Sequence, residues 1–161
     1  MGLLRARVSG GIDIKRNSRA AADSFEDSAQ EANVETAEAI ITLALANLLQ
    51  IDAYDTAELY DSADVRYGKG NAAAAVFTAK HAPYIEFGTA PHFPPLDKIR
   101  AWCGRKGIPE SAAFPIARRI SERGTPERPY FRPAVAAESG NHLHRVKVAI
   151  YNGLKKVLPA A

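Results

Sequence analysis

Cysteine is almost missing from this sequence: Cys103 stands alone among 161 residues, so no disulfide can close within the chain. A lone thiol fits a reducing compartment. Long apolar runs are also scarce. The longest strongly apolar stretch, Ala39–Leu49, is shorter than a bilayer core requires. Met1-Gly2-Leu3-Leu4 is followed at once by Arg5 and Arg7, not by the apolar core of a signal peptide. These features lead to the expectation of a soluble product of the cytoplasm with no membrane partner.

Motifs for chemistry are equally sparse. His142 and His144 are two residues apart, which on a helix points them about 200° apart and prevents a shared metal; on a strand they could share one, but no third ligand is near in the sequence. Gly68-Lys69-Gly70-Asn71 lacks the further glycines and following helix of a dinucleotide site and is too short for a P-loop. Cys103 follows Trp102 on an apolar face, more the setting of a packed thiol than of a nucleophile, although nearby Arg105 and Lys106 keep a reactive thiolate as an alternative. Glu86 has no second carboxylate at a fixed spacing for acid/base work, and it suits hydrogen bonding or pairing with an arginine. No catalytic, cofactor or metal residue is therefore expected, and the chain reads as a non-enzyme.

What is present is a domain-sized chain, expected to bury roughly 70% of its unfolded surface in one domain spanning residues 1–161. Much of its apolar content is alanine, so the six Phe, six Tyr and one Trp carry a large share of the packing. The net charge of +3 is unevenly spread. Residues 96–132 hold nine basic side chains against four acidic ones, a local +5.

In chain order, Leu4–Ile14 alternates in part, giving residues 1–17 as a strand bent at Gly10-Gly11 or as an arm. Ser18 is placed to cap a long helix reaching about Gln50, with Asp23, Glu26, Asp27 and Glu31 near its positive dipole end. Val34, Ala37, Ile41, Leu45 and Leu48 form its apolar stripe, which widens after Ala39 toward either the core or a neighbouring subunit. A short helix capped by Asp55 or Thr56 follows. Residues 63–69 and 72–80 then alternate about a glycine-rich turn and predict a β-hairpin.

One turn of helix from Pro83 to Phe87, stopped by Gly88, would set Tyr84 and Phe87 on one side against the hairpin, with Glu86 elsewhere. The stiff loop Pro91–Pro95 leads into residues 96–124, which read as an inserted helical hairpin. Its first helix carries Leu96, Ile99, Trp102 and Cys103 on one face. The regular part of its second starts near Pro115, burying Ile116 and Ile120. A helix from Phe131 to about Leu158, broken at Ser139-Gly140-Asn141, completes the chain. The fold class is α+β: a small, mostly antiparallel sheet on a long N-terminal helix, with the insert and a C-terminal helix.

Three short motifs in order carry a resemblance. Asp55-Thr56-x-x-Leu59-x-x-Ser62 comes first, then Tyr84-Ile85-Glu86-Phe87-Gly88-Thr89, then Arg128-Pro129-Tyr130-Phe131-Arg132-Pro133-Ala134. The set resembles the head–tail joining and tail-completion (neck) proteins of long-tailed bacteriophages and prophages, over about residues 50–158. Ala57 stands where that family usually has glycine, Tyr130 where it has Phe, and Phe131 where it has Leu. The 94–129 insert is longer than in the shortest members. The resemblance implies a structural virion protein, made in the bacterial host cytoplasm and acting without cofactor. It would form a ring, commonly of six copies, that contacts head connector or tail tube proteins. It also implies that Tyr84, Glu86, Phe87, Gly88, Thr89, Tyr130, Phe131, Arg132 and Pro133 anchor the fold or its subunit contacts, with Arg132 a partner for Glu86.

The basic insert supplies the alternative, a DNA-binding protein in which Arg105, Lys106, Arg118, Arg119 and Arg123 meet phosphates. No helix-turn-helix, zinc or RNA-recognition signature accompanies those charges. In a neck ring the same residues would face packaged DNA without sequence preference.

Overall fold

The computed structural model describes residues 11–51 and 57–157, and side chains from Ser18 onward. Among the described residues it is α+β, with six α-helices and one two-stranded sheet. Helix α1 runs Gly11–Gln50 and helix α6 runs Phe131–Val157, and the two pack along each other. The hairpin β1 (Ala63–Tyr67) and β2 (Ala73–Phe77) lies on α1 in antiparallel register, Ala63 opposite Phe77 and Tyr67 opposite Ala73. Asn71 at its turn donates to the Glu26 carbonyl while Asn33 donates to the Asn71 carbonyl, which docks the tip on α1.

The core forms where the second half of α1 meets the hairpin and three short segments. Ala44, Leu48, Leu59, Ala79, Ala82, Tyr130 and Ala134 are buried there, flanked by Phe77, Ile85 and Phe131. Leu59 comes from helix α2 (Ala57–Asp61), and its carbonyl is held by the Ser62 hydroxyl at 2.7 Å. Helix α3 (Ala82–Phe87) brings Ala82 and Ile85 to the same core. Further along, small buried residues (Ser28, Ala32) let α6 approach closely. Arg145 bridges there from α6 to Glu35 at 3.4 Å and to Glu138.

Helices α4 (Leu96–Arg105) and α5 (Ala113–Arg123) pack together as the inserted hairpin, joined through a 3-10 turn at Glu110–Ala112. They touch the rest of the molecule mainly through the residues flanking them.

Several boundaries differ from the sequence reading. Residues 11–14 are helical, not strand, so α1 starts before Ser18, and residues 1–10 with the Asp55/Thr56 cap lie outside the described residues. Helix α6 passes unbroken through Ser139-Gly140-Asn141. Packing against α1 offsets the roughly 1 kcal/mol helix cost of a glycine there. Helix α5 starts at Ala113, with Pro115 in its first turn where no intrahelical N–H is missed. Ile116 and Ile120 are only half buried, and Ala113 and Ala117 are the buried pair instead.

Counting only the Ala39–Leu49 run also understated α1. From Ser18 to Gln50 it is long and apolar enough, by length and composition, to cross a membrane. In this fold the stretch supplies core positions Ala32, Ala37, Ala44 and Leu48 and leaves Leu49 exposed.

A capped joint between two motifs

The second and third motifs meet at the start of α6. A helix beginning at Phe131 leaves its first N–H groups without intrahelical acceptors. Pro133 has no N–H, which reduces the open donors to Tyr130, Phe131 and Arg132. Nothing local can cap them, because Arg128, Pro129 and Tyr130 include no Ser, Thr, Asn or Asp. The cap comes from 44 residues earlier: Glu86 Oε2 accepts from Tyr130 N and Phe131 N, both at 2.9 Å, and Oε1 accepts from Arg132 N at 3.0 Å. The Arg132 Nε adds a fourth bond to Oε1 at 2.9 Å.

Glu86 is 4% exposed, so its charge is nearly withdrawn from water. Burial pushes its pKa up, but the three backbone donors and the Arg132 guanidinium outweigh burial and hold it below the usual carboxylate value. The helix dipole adds to the fit of an anion at this end. A second carboxylate, Glu127, takes Arg132 Nη2 at 2.7 Å and fixes the guanidinium, which also covers the Phe87 ring at 4.9 Å. Buried Tyr130 feels both its surroundings and Glu86: burial first, then the nearby negative charge, push its phenol up to about 12.

Tyr130 and Phe131 set their rings edge-on to Phe77 of β2, with centroids 5.0 and 5.7 Å away. The Tyr130 carbonyl accepts from Asn47 of α1 at 2.9 Å. Sheet, both long helices and α3 therefore converge on one joint.

Beside it, two Gly-Thr pairs close the base of the insert. Gly88 ends α3 and Gly124 ends α5, each in the left-handed region at φ 71° and 70°. Thr89 and Thr125 form an antiparallel bridge, with Thr89 N donating to the Thr125 carbonyl at 3.1 Å and the hydroxyls 3.0 Å apart. A Cβ on either glycine would collide with the opposing threonine's carbonyl oxygen. Glycine is thus needed at both positions for backbone shape and for close approach.

The structure brings Glu86, Gly88, Thr89, Tyr130, Phe131, Arg132 and Pro133 together, and it corrects the placing of Tyr84 and Phe87. Both are 62% exposed and do not rest on the hairpin; the inner face of α3 belongs to Ala82, Ile85 and Glu86. The basic residues Arg118, Arg119 and Arg123 are exposed on α5, Arg118 pairing with Glu122 at 3.0 Å. Arg105 and Lys106 are exposed at the end of α4. Cys103 is fully buried. His142 meets Thr36 Oγ1 at 3.0 Å, and no cluster of three potential metal ligands occurs among the described residues.

Sequence reasoning missed Asn47, Phe77 and Thr125. The available signal for the cap was negative: an α6 start with no local capping side chain, downstream of one unpaired glutamate. Comparison with family models, with curated proteins and with solved structures finds no match.

Proposed function

We propose that this chain is a structural protein of a phage virion, of the head–tail connector, tail-completion or tail-terminator type, assembling as a ring that joins or closes the tail. The observation that carries the reading is the Glu86 joint. The second and third of the motifs whose order resembles the neck proteins make up one fully bonded corner of the fold, with no open acid, base or nucleophile. That corner directs Tyr84 and Phe87 outward, with the Arg132 guanidinium over the Phe87 ring. Large aromatics displayed at a surface favour contacts with another chain, where their burial contributes most of the binding energy. The half-open apolar sides of α1 support the same conclusion.

The test is copurification and size. Purified protein mixed with tails or portals of the encoding phage is expected to join them in several copies per particle, by sedimentation and quantitative mass spectrometry. A chain that stays a free monomer with tails and portals alike overturns the proposal.

The exposed arginines of α5 and the outward Phe93–Phe114 ring pair, centroids 6.4 Å apart, favour a second reading in which the insert binds DNA. It expects salt-dependent DNA retention that disappears when Arg118, Arg119 and Arg123 become Ala. No retention at ~50 mM salt ends it.

A further inference from the structure

We infer that the groove between α3 and the α4–α5 hairpin receives the 23–41 stretch of α1 from a second copy of this chain. The inference rests on the ring proposal and names the two surfaces that meet. The groove has a volume of about 1230 Å³ and is walled by Ile99, Trp102 and Ile116, with Lys106 and Arg128 among its polar lining. On α5, three residues on from the lining residues Ile116 and Ile120, are the exposed Arg119 and Arg123, on a segment of net +5. The occupant therefore needs an apolar centre and negative flanks.

Helix α1 offers that chemistry. Its residues 18–50 hold six acidic side chains and one basic, a net −5. Asp23, Asp27, Glu31 and Glu38, spaced by four, four and seven, fall on one helix face. All four are exposed and none joins an ion pair among the described residues. Val34 and Ile41, half buried, lie on that same face between and beyond the acids. The stripe is acidic over its N-terminal part and joins apolar Val34 and Ile41 to Glu38 beyond it, a pairing of charge and apolar surface that complements the groove.

The two surfaces cannot meet within one molecule. The insert is clamped beside the joint, where Asn47 of α1 holds Tyr130. Glu31 lies 16 residues earlier on a continuous helix, about 24 Å along its axis. Complementary patches at opposite ends of a protomer make a head-to-tail contact, which closes into a ring when its rotation permits. Phosphate would satisfy the arginines but leave the apolar walls unused, and the acidic stripe would repel it.

Charge reversal tests the contact in wild-type-length chains assembling on tails. Arg119→Glu with Arg123→Glu, and separately Asp27→Lys with Glu31→Lys, are each expected to weaken assembly roughly tenfold or more, and the fourfold variant to regain it. Val34→Cys and Ile116→Cys chains, mixed and oxidised, are expected to give a disulfide-linked pair that neither gives alone. Assembly unchanged by both reversals, or reversals whose combination regains nothing while the unfolding midpoint is intact, overturns the contact and leaves the ring standing. DNA retention lost with assembly intact assigns the arginines to nucleic acid and also overturns it. Failure of the unaltered chain to assemble removes the ring and this contact together.

Discussion

The two motifs that meet at the joint treat the same residue types in opposite ways. Residues 84–87 bury a charge and display their aromatics, whereas residues 130–132 bury an aromatic and leave the charged Arg132 half exposed. Hydrophobicity alone would sort both motifs identically. The difference arises because a helix start without a local cap needs an anion more than the core needs a phenyl ring. One buried carboxylate satisfies three backbone donors that would otherwise cost about 1–3 kcal/mol each if left buried and unpaired. Once Glu86 takes the inner position on a helix as short as α3, Tyr84 and Phe87 must face outward.

The strongest way to break this contrast is Glu86→Ala, which leaves the donors and Arg132 without their acceptor. Loss of about 3 kcal/mol or more is expected from denaturant unfolding. Tyr130→Ala, removing the ring against Phe77, is expected to cost a similar 3–5 kcal/mol. Asn47→Ala removes one bond to the Tyr130 carbonyl and is expected to cost about 1 kcal/mol. At the other extreme, Phe87→Ser is expected to change stability by only about 0.5–1 kcal/mol, chiefly its contact with Arg132, while reducing assembly on tails. A large stability loss for Phe87→Ser with a small one for Glu86→Ala would invert the comparison.

Acid sharpens the same point. Glu86 has a folded pKa below its ordinary value of 4.5, so its contribution is present above that value and is lost as pH falls through the depressed one. Glu86→Gln is expected to flatten that part of the acid unfolding profile. In alkali the sign differs. The Tyr130 phenol titrates near 12 when folded and near 10 when unfolded, so stability declines from about pH 10 upward. Tyr130→Phe should remove that decline.

Much of the architecture is legible in the residues. The Gly68–Asn71 turn between alternating segments locates the hairpin, and Pro95 and Gly107 frame α4. The long-range consequences are not legible. Gly10-Gly11 and Ser139–Asn141 read as breaks by propensity, yet residues 11–14 belong to α1 and α6 stays continuous where α1 packs on it. The inward turn of Glu86 depends on donors 44 residues away, which no periodicity within α3 encodes. The Gly-Thr clamp is similar: Gly88 reads as a helix stop and Gly124 as the end of the insert, and only the fold sets the two against each other.

The central claim is that the joint presents its aromatics for assembly. The most direct measurement is to purify particles of the encoding phage carrying wild-type protein or the Tyr84→Ser/Phe87→Ser variant. The chain would then be counted per particle by mass spectrometry, with unfolding midpoints measured in parallel. A fixed small number of wild-type copies, strongly reduced for a variant that remains folded, is the expected result. Absence of the wild-type chain from particles, or equal incorporation of the variant, would contradict it.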